Sequence, residues 1–230
     1  MPDDGPRTQP DGAPEEALAD PVEVPGARAP ILLRAAGALV PKRRRLRGVV
    51  YLVLDHSTSM ADPGKMDAMR QGAVRFFLEA VQREYAVGAV AFAGRAEVVS
   101  GAGLDAHRFW RSLHALRAYG RTAMAAGLHT ALRRLRFRRG RHVLVLITDG
   151  MPDDRARTIE AARLARARGV TLIPIGIGQA DHAFLASLAG RPELARHVGR
   201  GDLAGAMAEA AGRLQDDGGA APVDAGPHRG

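Results

Sequence analysis

At 230 residues, with 46% of them hydrophobic, the chain is long enough to bury one good core and short for two full domains. It has no cysteine, which excludes disulfides, thiolate zinc sites and a cysteine nucleophile and fits a reducing compartment. A net charge of +8 invites a nucleic-acid or other anionic partner, but all except Lys42 and Lys65 of the 33 basic residues are arginine, which reads as a compositional bias over a solvated surface.

Residues 1–30 hold seven of the 14 prolines, with an acidic bias and little apolar content. That composition predicts a disordered or loosely attached segment. It is also the reverse of a signal peptide, which is basic and then apolar, and no run approaches the ~18 apolar residues of a membrane span. A soluble, cytoplasmic protein is expected. Residues 31–40 are modestly apolar and suit a short strand or a short helix. The domain plan is a tail with a lead-in over 1–45, one folded domain over 46–215, and a second disordered tail over 216–230.

Residues 49–54 form an unbroken apolar run rich in β-branched side chains, the pattern of a strand buried on both faces of a parallel sheet. The run ends in Asp55, and Ser57 and Ser59 follow at alternate positions. In an extended or gently turning loop these oxygens converge, and a carboxylate with two hydroxyls suits a hard cation such as Mg²⁺. Asp62-Pro63 then predicts a helix start, and Met66, Met69, Ala73, Phe76, Phe77 and Ala80 recur on one helical face. Strands follow at 85–93 and 95–100. The turn at Gly94 is too short for anything but an antiparallel pair, so the second of these belongs at an edge.

Phe109, Leu113 and Leu116 indicate a short helix, and Thr122 opens another marked by Leu128, Ala131, Leu132 and Leu135. A second apolar strand at 142–148 runs into Asp149-Gly150. Beyond it come a helix at 155–168, a strand at 170–177, a short helix at 181–189 and a last helix carrying Leu203, Met207, Ala210 and Leu214. Strands alternating with helices predict an α/β, mainly parallel sheet with one antiparallel edge strand and helices on both faces. In such sheets, sites form at the carboxyl ends of strands where the strand order reverses.

Each polar position also has a plain structural reading. Ser57 and Ser59 suit a helix cap, Thr122 an N-cap, Asp149-Gly150 a turn, and Asp153 and Asp154 the cap of the helix that follows. His56 is expected to point away from the metal as a structural residue. The arginine clusters at 43–47 and 133–141 are read as lacking the interleaved aromatics of single-strand binders, since aromatics make up only 4% of the chain.

Taken together, Asp55-x-Ser57-x-Ser59, Thr122 and Asp149-Gly150 stand at the ends and starts of elements in the order of the von Willebrand factor type A (VWA) domain and its metal-ion-dependent adhesion site, MIDAS. The chain resembles that family over about residues 46–215. In length and simplicity it is similar to small bacterial intracellular members, including those of tellurium-resistance operons. The resemblance implies a three-layer, Rossmann-like fold without catalysis of its own. It also implies Mg²⁺ or Mn²⁺ held by Ser57, Ser59 and Thr122, with Asp55 and Asp149 coordinating directly or through water. A partner protein would present an Asp or Glu to the metal; by analogy it is an AAA+ ATPase, a kinase, a phosphatase or a stress-response assembly. Arg121 departs from the family, which often places glycine there. Two other functions are weighed. A Mg²⁺-dependent phosphohydrolase of the haloacid-dehalogenase type would want Asp where Ser57 stands, and nucleic-acid binding would use the arginine clusters.

Overall fold

The computed structural model describes residues 46–216. The predicted lead-in at 31–40, both tails and the arginines at 43–45 lie outside the described residues.

Six strands form one sheet in the order β3-β2-β1-β4-β5-β6. β1 (Gly48–Asp55) lies at its middle, parallel to β2 (Tyr85–Phe92) on one side and to β4 (Arg141–Thr148) on the other. All eight residues of β1 are buried, which explains why its sequence is continuously apolar instead of alternating. β5 (Thr171–Ile177) and β6 (Arg196–Val198) extend the parallel sheet beyond β4. β3 (Ala96–Gly103) pairs antiparallel with β2 at the other edge, as the short Gly94 turn requires. The sheet is thus mixed, mostly parallel with one antiparallel edge strand, and flanked by helices.

The alternation of β1 divides the core into two layers. Val50, Leu52 and Leu54 face α1 (Lys65–Gln82), α2 (Ala106–His114) and α6 (Leu203–Asp216), whose Phe76, Phe77, Phe109 and Met207 fill that side. Val49, Tyr51 and Val53 face α3 (Met124–Leu135), α4 (Arg155–Ala167) and α5 (His182–Ala189). Two tyrosines are fully buried, and each hydroxyl has a partner, as burial demands. Tyr51 accepts from the Ala102 amide at 3.2 Å, and Tyr85 donates to the Leu214 carbonyl at 2.9 Å.

Several boundaries differ from the sequence reading. α1 begins at Lys65 behind a left-handed Gly64, because residues 58–61 form a tight 3-10 turn that delays the helix past Asp62-Pro63. α3 begins at Met124 with Ala123 as its N-cap, so Thr122 does not cap it. α6 continues through Asp216, which the sequence reading had assigned to the tail. β6 was not anticipated: three residues are too few to show a period of two.

From β1 the chain crosses to β2 and β3, then returns past β1 to β4. The strand order therefore reverses at β1, and the carboxyl ends of β1 and β4 open a crevice there.

Candidate metal centre

Asp55 is the last residue of β1, and Asp149 follows the last residue of β4. Asp55 is fully buried with both carboxylate oxygens engaged: Oδ1 accepts from the Ser57 amide at 2.8 Å and Oδ2 from the Thr148 hydroxyl at 2.6 Å. The first bond folds the chain back over the strand end, which presents the next hydroxyls upward. Ser57 Oγ lies 3.1 Å from Ser59 Oγ, and Ser59 Oγ donates to Asp149 Oδ1 at 2.7 Å. Asp55, Ser57, Ser59 and Asp149 are thereby brought into one hydrogen-bonded cluster drawn from two loops.

Among the described residues Thr122 makes no hydrogen bond to these four; its backbone is held by Asp153 instead, on the loop after β4. Its amide donates to Asp153 Oδ1 at 3.0 Å, and its carbonyl accepts from the Asp153 amide at 3.0 Å. Asp153 Oδ2 also accepts from Arg121 Nε at 3.1 Å. Only Asp154 caps α4, accepting from the Arg157 amide at 2.9 Å. The expectation that both aspartates serve as caps is therefore corrected: Asp153 holds the Thr122 loop to the β4 loop. The same loop is tied to the first one where the Gly120 carbonyl, on a residue with φ of 72°, accepts from the Thr58 amide at 3.0 Å and the Thr58 hydroxyl at 2.9 Å. Thr122 itself makes no side-chain hydrogen bond among the described residues, and α3 does not use it as a cap.

His56 anchors these loops from beneath. Its amide donates to Phe92, its carbonyl accepts from the Tyr119 amide at 2.8 Å, and its Nδ1 lies 2.9 Å from the Arg117 carbonyl. The ring is buried edge-on against Tyr119, with centroids 4.9 Å apart, and Nε2 has no partner among the described residues.

Lys65 was missed by the sequence reading. From the first residue of α1 its ammonium reaches Asp149 Oδ2 at 2.6 Å, the Ser59 carbonyl at 3.1 Å and Asp62 Oδ2 at 2.8 Å. A signal was present, since Lys65 is one of only two lysines in an arginine-dominated chain. Burial lowers its pKa, but the hydrogen bonds it donates to Asp149 and Asp62 outweigh that and hold it above the ordinary lysine value. Asp55 is pushed above the usual carboxylate value by burial, against the hydrogen bonds from Ser57 and Thr148, and the nearby charge of Asp149 adds to the shift.

The donors gathered here are hydroxyl and carboxylate oxygens, without nitrogen or sulfur, and that set suits Mg²⁺ or Mn²⁺. Among the described residues no group of three or more His, Cys, Asp or Glu side chains is placed to hold a metal ion by itself. The site's character is that of its hydroxyls.

A model of the von Willebrand factor type A domain matches residues 50–209. The chain belongs to the VWA family. Over 58 residues, a quarter (25%) of this chain, it is 40% identical to the collagen alpha-5(VI) chain of Mus musculus, but that stretch is only 2% of the collagen chain. Among solved structures it is similar to the manganese-loaded TRAP protein of Plasmodium vivax, with a TM-score of 0.60 and 22% identity over 70% of this chain and 72% of that one. It is also similar to proximal thread matrix protein 1 from the mussel byssus with a zinc-occupied MIDAS motif, at TM-score 0.60 and 18% identity over 72% of this chain and 46% of the other. At these identities the structural likeness speaks for the VWA fold. No helix of the VWA domain described here is long and apolar enough to cross a membrane.

Proposed function

We propose that this VWA domain, over residues 46–215, is a metal-dependent protein-interaction module. Ser57, Ser59 and Thr122 would hold Mg²⁺ or Mn²⁺ through their hydroxyls, and Asp55 and Asp149 directly or through water. The observation that carries the reading is the Ser57–Ser59–Asp149 hydrogen-bonded cluster at the strand-order reversal. The manganese named for the TRAP structure and the zinc-occupied MIDAS motif named for the mussel structure support it by analogy. A set dominated by neutral hydroxyls leaves the cation's charge incompletely compensated, so it favours an acidic side chain from another molecule.

The rim has the composition of a contact surface. Tyr119 and Met151, two of the exposed large apolar side chains among the described residues, lie on the loops that carry Asp149 and the exposed Arg121. The partner is accordingly a protein that presents Asp or Glu, with an AAA+ ATPase, kinase or phosphatase of the same pathway as the leading classes. A cytoplasmic setting and kinship with the small bacterial MIDAS members, including the tellurium-resistance type, belong to the same proposal, as does the absence of any catalytic step.

A pull-down from lysate tests it, comparing wild type in Mg²⁺, wild type in EDTA and the S57A/T122A double variant, which keeps both carboxylates. A protein retained only by wild type in Mg²⁺ supports the reading; an identical catch in all three lanes removes the metal from the function.

One observation favours a second reading. Phe137 lies inside the arginine cluster at 133–141 and is 85% exposed, with the Arg136 guanidinium 5.2 Å from its ring centroid. This corrects the expectation that no aromatic is interleaved there. An exposed ring among arginines is the arrangement on which a nucleic-acid base stacks. Chelator-insensitive binding of a single-stranded oligonucleotide that falls steeply with salt and is lost in Phe137→Ala would establish it.

A further inference from the structure

We propose that Lys65 is a built-in cation that sets the strength with which this VWA site holds its metal and the share of the metal's charge left for a partner carboxylate. The inference rests on the metal-binding reading above and deepens it.

The ammonium is held by three acceptors, Asp149 Oδ2, the Ser59 carbonyl and Asp62 Oδ2, at 2.6, 3.1 and 2.8 Å, one for each of its protons. Its side chain is only 11% exposed, and that of Asp149 only 1%. A compact group with three diverging donors fits this set, whereas the planar fork of arginine presents its donors in one plane. That accounts for a lysine here in a chain whose other cations are almost all arginine.

Helix stability does not account for it. Lys65 is the first residue of α1, where the helix dipole disfavours a cation. What holds it there is the acidic site, and the charge balance of the site follows. The two carboxylates that close the strands, Asp55 and Asp149, offer two negative charges, and Lys65, which Asp149 shares with Asp62, offsets part of that charge at Asp149. A divalent ion bound beside Ser57 and Ser59 meets a donor set whose charge is already reduced, and it also meets a fixed positive neighbour. Both effects weaken its binding and leave it the stronger acceptor of an outside carboxylate.

The test compares wild type, Lys65→Met, which keeps the length and apolar stem, and Lys65→Arg, which keeps the charge. Free Mn²⁺ is titrated by electron paramagnetic resonance, and thermal melting is followed in EDTA and in Mn²⁺. The expected result is Mn²⁺ bound about tenfold more tightly by Lys65→Met and within about threefold of wild type by Lys65→Arg. In EDTA, Lys65→Met melts below wild type because Asp149 has lost its cation, and Mn²⁺ restores more stability to it than to wild type; folding only with Mn²⁺ counts in the same direction. Acetate added to the Mn²⁺-loaded proteins, read by water-proton relaxation, displaces water less readily in Lys65→Met.

Equal or weaker Mn²⁺ binding by a folded Lys65→Met overturns the proposal and leaves the metal site standing. Acetate acting equally or better on that variant overturns the part concerning the partner carboxylate. If neither wild type nor variant binds Mn²⁺ at millimolar concentration while both are folded, the metal reading itself falls, and this inference falls with it.

Discussion

The Thr148 hydroxyl donates to Asp55 Oδ2 at 2.6 Å, so the carboxyl ends of the two neighbouring strands are fastened to each other directly beneath the hydroxyl cluster. Asp55 is fully buried, and it cannot replace a lost protein donor with bulk water. Thr148→Val keeps the shape and removes the donor. It should cost about 1–3 kcal/mol of stability, measured by urea denaturation in EDTA, and no loss of stability would show that the bond is dispensable.

Asp153 positions Thr122 without belonging to the proposed donor set. Asp153→Ala removes the acceptor of the Thr122 amide and the partner of Arg121. Overall stability should change by less than about 1 kcal/mol, since the residues involved are on the surface. Amide exchange at 120–123 should nevertheless quicken, and Mn²⁺ affinity should fall several-fold. Unchanged exchange at those amides would mean that the loop is held without Asp153, by the Thr58–Gly120 and Ala123–Ala93 bonds.

If the cluster binds a divalent ion in the folded state only, the ion must stabilise the fold by mass action. At one hundred times the dissociation constant, Mg²⁺ should add about 2.7 kcal/mol to wild type. The S57A/T122A variant, which retains Asp55 and Asp149, should gain much less. Differential scanning calorimetry across a Mg²⁺ series reads both. A full gain by the double variant would place the binding elsewhere.

α3 approaches the sheet closely at Gly127, where a Cβ would lie 2.8 Å from Phe92 Cδ1 and 3.0 Å from Val53 Cγ1. Neither neighbour can move away, because both are fully buried. Gly127→Val should destabilise by about 1–3 kcal/mol through overpacking, seen as a lower denaturant midpoint at constant slope.

Asp181 caps α5, accepting from the Phe184 amide at 2.9 Å, and pairs with Arg155. Its pKa is lowered, first by that backbone hydrogen bond and then by Arg155. A depressed carboxylate pKa contributes stability that is present above the unfolded value and lost as pH falls through the folded one. Asp181→Asn should therefore melt below wild type at neutral pH, and the gap should close in acid below the depressed folded value. A gap independent of pH would assign the effect to side-chain geometry instead of charge.

The sequence alone determined the fold class, because short apolar runs rich in β-branched residues alternate with amphipathic helical segments, the pattern of a mainly parallel sheet covered on both faces. It also determined the antiparallel edge, since the turn at Gly94 leaves no room for a crossover. Asp55, Ser57, Ser59 and Asp149 could be singled out because they follow the ends of apolar strands, where a polar side chain is conspicuous, while Thr122, in a loop ahead of a helix, was marked only by the family resemblance. Helix starts were less legible: Asp62-Pro63 carries the local signal of an N-terminus, yet the tight turn at 58–61 postpones the helix to Lys65.

Only the tertiary structure decided which polar residues meet. Lys65 reaches Asp149 across 84 positions of sequence, and Asp153 grips Thr122 across 31. Such contacts leave no periodic trace, because they depend on how three loops settle over the strand ends and not on the repeat of any one element. The apolar pattern is written by burial, residue by residue along the chain, while the charge balance of the site arises between residues that share nothing until the sheet has formed.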